Sequence, residues 1–129
     1  MVDTSALHAA LDADDDHHSL ARTALHNLNG AGETLASHNY VVLETIALAQ
    51  RRLRLEASRT LVDDVLPALT IFWVERDVQD EACSRLLSKG RRAMSLVDCV
   101  SFTLMKRHGI EVALAFDEHF RDQGFQTVP

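Results

Sequence analysis

Four consecutive apolar residues, Val112-Ala113-Leu114-Ala115, follow a helix-like segment stopped by Gly109 and lead directly to Asp117. An unbroken apolar run of this kind is the pattern of a strand covered on both faces. Such strands belong to parallel sheets, and parallel strands need crossover helices between them. The rest of the chain supplies that alternation. Residues 1–4 read as a first strand, and residues 5–11 as a short helix that Thr4 or Ser5 caps. The acidic turn 12–16 opens a second helix over residues 17–28, with Leu20, Ala21, Ala24, Leu25 and Leu28 at helical spacing. Asn29-Gly30-Ala31-Gly32 ends it, and Thr34-Leu35-Ala36-Ser37 is a brief strand. Asn39 caps a helix to residue 54, and a second one over 56–69, closed near Pro67, makes a hairpin with it. Ile71-Phe72-Trp73-Val74 is a strand of large and branched residues. Residues 75–88 are helical, with Lys89-Gly90 at the end. Ser95 opens a helix to His108, and Phe125-Gln126-Thr127-Val128 is a last strand. The expectation is one domain over residues 1–129: a three-layer α/β/α sandwich around a mainly parallel sheet of four to five strands.

The totals set limits on function. The net charge of −6 argues against binding nucleic acid by charge alone. The charges are clustered, however. Asp12, Asp14, Asp15 and Asp16 form one acidic segment, and Arg51, Arg52 and Arg54, then Lys89, Arg91 and Arg92, then Lys106 and Arg107 form basic ones. No apolar run approaches the roughly 20 residues of a spanning helix, and no basic-then-apolar leader is present. Cys83 and Cys99 lie in separate helices without CxxC spacing, and they read as the reduced thiols of a cytoplasmic protein.

Four acids stand in apolar settings. Asp3 ends the first strand, and Asp117 follows the apolar strand directly. Ligands of open parallel sheets bind outside such strand ends. Asp98 lies in Ser95-Leu96-Val97-Asp98, a capping-box spacing, so it either satisfies a helix start or serves a site, and one role does not exclude the other. Glu44 has Val41, Ala47 and Leu48 on its helix face. Asp117 also has a structural alternative, as N-cap of a one-turn helix through Asp122. All four are placed to meet at one edge of the sheet. Carboxylates side by side repel, so they call for a cation. Oxygen-only ligands suit Mg²⁺ or Mn²⁺, whose chemistry at such sites is phosphoester hydrolysis.

The arrangement resembles the PIN-domain ribonucleases, and most of all the VapC-type toxins of bacterial toxin–antitoxin pairs. The residues that carry the likeness are Val2-Asp3-Thr4-Ser5-Ala6-Leu7, Glu44 in the helix after the second strand, Ser95-Leu96-Val97-Asp98, and Phe116-Asp117-Glu118-His119-Phe120 before the closing strand. The resemblance implies that Asp3, Glu44, Asp98 and Asp117 are the catalytic quartet. Asp3 and Asp98 would bind the metal directly, Asp117 would complete the site, and Glu44 would act through water. Ser5 would be an accessory near metal or phosphate, or else a helix cap. The family's products, a 5′-phosphate and a 3′-hydroxyl, follow from water as nucleophile. The resemblance further implies a homodimer and restraint by a cognate VapB-like antitoxin, with the early helices and the hairpin of residues 40–54 and 56–69 offering apolar stripes for both contacts. One departure is Ala115, where many relatives carry Thr or Ser two residues before the last acid.

Other readings carry less. Among seven histidines there is no HExxH or Cys/His zinc spacing, and His17 and His18 point to different helix faces. His119, two residues after Asp117, is placed to face substrate. A haloacid-dehalogenase-type phosphatase needs a second aspartate where Ser5 stands, and no phosphate-binding glycine loop occurs. Arg91 and Arg92, with Lys89, lead into Ser95 and Asp98 and are candidate RNA contacts; the alternative is an ordinary helix end. Two rivals to an antitoxin-restrained nuclease remain: a non-catalytic PIN-like module that binds RNA or protein, and a housekeeping nuclease without an antitoxin.

Overall fold

The computed structural model describes residues 1–89 and 94–129. The elements run in the order α1 (Thr4–Leu11), α2 (His18–Gly30), β1 (Ala36–His38), α3 (Asn39–Arg52), α4 (Leu55–Thr60), β2 (Thr70–Phe72), α5 (Arg76–Lys89), α6 (Leu96–His108), β3 (Val112–Leu114), α7 (His119–Asp122) and β4 (Gln126–Val128). All the pairing is parallel: β1 with β2, in the register Ala36 to Thr70, and β3 with β4, in the register Val112 to Gln126. Residues 1–3 bond to both pairs. Val2 N–H donates to Ala36 O at 2.7 Å, and Asp3 N–H to Leu114 O at 3.0 Å. Asp3 thus leaves the sheet beside the end of β3, as its strand-end position in the sequence requires.

Several local expectations are corrected. The first strand is only a bridge between Val2 and Leu114, because Thr4 is already helical. Asp3 caps α1 in place of Thr4 or Ser5, its side chain accepting from Ser5 N–H. Asn39 does not cap α3; His38 stands at that position, and Asn39 Oδ1 instead accepts from Val74 N–H at 2.9 Å. The helix over 56–69 breaks into α4, a π turn (Leu61–Val65) and a 3₁₀ turn (Leu66–Ala68). Pro67 is the reason, since it has no N–H and its ring crowds the preceding turn. Val112 is 39% exposed, so the apolar strand is covered on both faces only from Ala113 onward. Asp117 caps nothing; Glu118 precedes α7, without a side-chain cap.

The core explains why α6 is fixed. Residues 98–105 of this helix are all buried, so it runs through the interior rather than along it. Phe102 packs edge-on to Phe120 at 5.0 Å and stacks on Phe125 at 5.9 Å. Ser101 receives or donates a 2.8 Å bond with His38 Nε2, and burial pushes the His38 ring down to a pKa of about 4. A second cluster, around Val2, Leu7, Val41, Leu61 and Leu114, holds α1 and α3 against the first residues. Gly109, at φ 63°, ends α6 in the left-handed region that favours glycine. Cys83 and Cys99 form no disulfide. Among the described residues no helix is long and apolar enough to cross a membrane.

Candidate active site

The strand-to-helix step at Asp3 and the buried start of α6 bring two carboxylates together. Asp3 is 2% exposed and Asp98 8%. Asp3 Oδ2 accepts from Ser5 N–H at 3.0 Å and from Ser5 Oγ at 2.7 Å. Asp98 Oδ2 accepts from Ser95 N–H at 2.8 Å, and Asp98 N–H donates to Ser95 Oγ at 3.0 Å, which completes the capping box. The capping reading of Asp98 therefore holds, and the same residue lines a cleft. Burial raises both carboxyls above the ordinary range. The Ser5 hydrogen bonds partly offset this at Asp3, while the Asp98 charge adds to it. At Asp98 the Ser95 bonds and His119 pull downward, and Asp117 pushes up.

Glu44 and Asp117 complete the wall of the same open cleft, about 450 Å³ in volume, which Ser5 and His119 also line. Glu44 is half-buried, and its Oε2 accepts from Thr4 Oγ1 at 2.6 Å. Asp117 is exposed. Ser5 Oγ is already engaged: besides Asp3 it meets Phe116 N–H at 3.1 Å, tying the first acid to the loop that carries the last. Ser5 thus works as a strut. Arg91 and Arg92 lie outside the described residues. Sequence reasoning missed Thr4 as the partner of Glu44, and it noted Arg52 only within a basic cluster, whereas the fold brings that cation to this acidic cleft. It also missed the ring pair of His17 and Phe116, stacked 4.3 Å apart at 9° on the cleft wall. None of these has a spacing that marks it in the chain.

The donor set fits a hard divalent cation. It is all oxygen, it is crowded enough for mutual repulsion, and among the described residues no Lys or Arg forms an ion pair with any of the four acids. The four are not drawn into one tight cage, however. Among the described residues, the group of three donor atoms mutually within 4.8 Å is His8, Asp12 and Asp15.

Parallel strands that deliver buried carboxylates to one cleft beside a capped helix are the features of the PIN-domain family, and this chain belongs to it: the family model matches residues 1–126. Among curated proteins it is 31% identical over 130 residues to the 23S rRNA-specific endonuclease VapC20 of two Mycobacterium tuberculosis strains, covering 98% of this chain and 95% of theirs. Among solved structures it is similar to M. tuberculosis VapC20, described as a sarcin–ricin loop cleaving toxin, with a TM-score of 0.83 and 30% identity over 96% of this chain and 94% of that one.

Proposed function

We propose that this protein is an endoribonuclease toxin that hydrolyses RNA phosphodiester bonds at the cleft of Asp3, Glu44, Asp98 and Asp117, with Mg²⁺ or Mn²⁺. The observation that carries the reading is the pair of buried, mutually repelling carboxylates Asp3 and Asp98, opened to a cleft without an ion-pair partner among the described residues. Asp3 and Asp98 would hold the ion directly, with Asp117 as a further ligand. When bound, such an ion would supply charge neutralisation and a more acidic water. The protein's own groups do the rest. Ser5 and Ser95 fix the two buried carboxylates, and Thr4 fixes Glu44, which orients water toward the phosphate. Arg52 and His119, both on the cleft wall, face the RNA.

The likeness to VapC20 extends the proposal to the substrate, a structured ribosomal RNA loop of the sarcin–ricin kind, and to a cytoplasmic setting where ribosomes are found. It also supports restraint by a cognate VapB-like antitoxin, and a homodimer. We read residues 1–129 as one domain with three layers, the two strand pairs being halves of one parallel sheet joined through residues 1–3, since Val2 and Asp3 donate to strands on either side.

The test is RNA cleavage by antitoxin-free protein on 23S rRNA and on a broad RNA pool, with Mg²⁺, Mn²⁺ or EDTA. Wild type is expected to cut only with metal, and Asp3→Asn and Asp98→Asn not at all. A folded wild type that cuts neither RNA would overturn the nuclease reading in favour of a binding module.

A further inference from the structure

A second set of metal-ligand side chains lies beside the cleft, and none of them belongs to the quartet. His8 stands in the last turn of α1, and Asp12, four residues on, caps that helix through its N–H bond to His8 O at 3.0 Å. This spacing puts both side chains on one face. The turn then folds back, Asp15 N–H donating to Asp12 O at 3.2 Å, and Asp15 Oδ1 accepts from His17 N–H at 2.8 Å. One donor atom from each of His8, Asp12 and Asp15 lies within 4.8 Å of the other two. An independent observation concerns the ring: His8 Nε2 is enclosed and has no hydrogen-bond partner. A buried polar nitrogen left so is costly and uncommon. Coordination through Nε2 would remove that cost, and the ion would neutralise the two carboxylates beside it.

We infer that His8, Asp12 and Asp15 form a binding site for Zn²⁺, with three protein ligands and a fourth position open to water or an RNA phosphate. The imidazole selects against Mg²⁺, which favours oxygen and keeps its waters, and suits Zn²⁺, which binds histidine and aspartate together. His8 and Asp15 also line the catalytic cleft. An ion there turns an acidic lip, built from Asp12, Asp14, Asp15 and Asp16, toward neutrality where RNA must pass. The inference does not depend on the nuclease reading, because its test is made with the two buried acids of the quartet, Asp3 and Asp98, replaced.

The test measures Zn²⁺ uptake by equilibrium dialysis, and Co²⁺ visible absorption as a reporter of nitrogen coordination, in the full chain carrying Asp3→Asn and Asp98→Asn. One tightly bound equivalent is expected. Adding His8→Ala or Asp15→Asn should weaken it by more than about 100-fold, since even outer-shell changes cost about 10–100-fold. Adding His17→Ala should leave it unchanged. Far-UV circular dichroism checks that each variant folds, and Asp15→Asn, in a surface turn, tests the site if His8→Ala unfolds. No uptake, uptake indifferent to both His8 and Asp15, or uptake lost with His17→Ala would each overturn the inference.

Discussion

Replacing Ser5 by alanine removes one hydroxyl that makes two bonds, donating to Asp3 Oδ2 at 2.7 Å and accepting from Phe116 N–H at 3.1 Å. The first goes to a carboxylate, and such bonds contribute about 1.5–3 kcal/mol; the second is neutral and contributes about 0.5–1.5 kcal/mol. The Ser5 N–H bond to Asp3 survives the substitution, so the two losses do not add in full. The expected destabilisation is about 1.5–3 kcal/mol. In a chain of 129 residues that is on the order of 10 °C in Tm. Losing the hydroxyl also removes the largest downward influence on the Asp3 carboxyl, so its pKa moves further up. Urea unfolding in EDTA, followed by far-UV circular dichroism, measures the effect. The single tryptophan, Trp73, is 73% exposed and would report poorly. Ser5→Thr retains the hydroxyl and should recover most of the loss. A Ser5→Ala protein less than about 0.5 kcal/mol weaker than wild type, yet inactive on RNA, would refute the strut and return Ser5 to a direct role at metal or phosphate.

Three further outcomes follow from the same geometry. Ser95→Ala breaks the capping box of α6 and should cost about 1 kcal/mol by urea unfolding. Arg107 pairs with Asp77 and Glu81 on the surface, so Arg107→Ala should leave the thermal melt nearly unchanged, despite its two ion pairs. The His38 ring is held neutral, its pKa falling from 6.5 unfolded to about 4 folded. Its stabilising contribution is therefore complete above pH 6.5 and is lost as pH falls toward 4, by on the order of 3 kcal/mol. Asp3 and Asp98, with raised values, act in the opposite sense, so the comparison is wild type against His38→Gln. The variant should lack that part of the acid-side slope.

The helices and the order of the elements were legible because their signals are local. Ser95-x-x-Asp98 and Gly109 delimit α6 within the chain itself, and both boundaries hold. The caps at Asn39 and Thr4 failed for the opposite reason. Asn39 is drawn away by Val74, 35 residues distant, and the cap of α1 falls to Asp3, which sequence reading assigned only to a site. Pairing over such distances leaves no spacing to read. The same holds at the cleft. The acids stood out because carboxylates among apolar residues are costly, whereas Thr4, Arg52 and the His17–Phe116 pair are ordinary residues made relevant by position alone. The three-residue strands were too short for their edges to be read closely, which displaced them by one or two positions.

Asp3 caps α1, and Asp98 closes the capping box of α6. Scaffold and the proposed chemistry thus share the same two carboxylates, and a crude deletion of either side chain to alanine would confuse a broken enzyme with a broken protein. A silent variant suited to trapping intact RNA in the cleft is better sought at Asp117, which is exposed and caps nothing, than at the two buried positions.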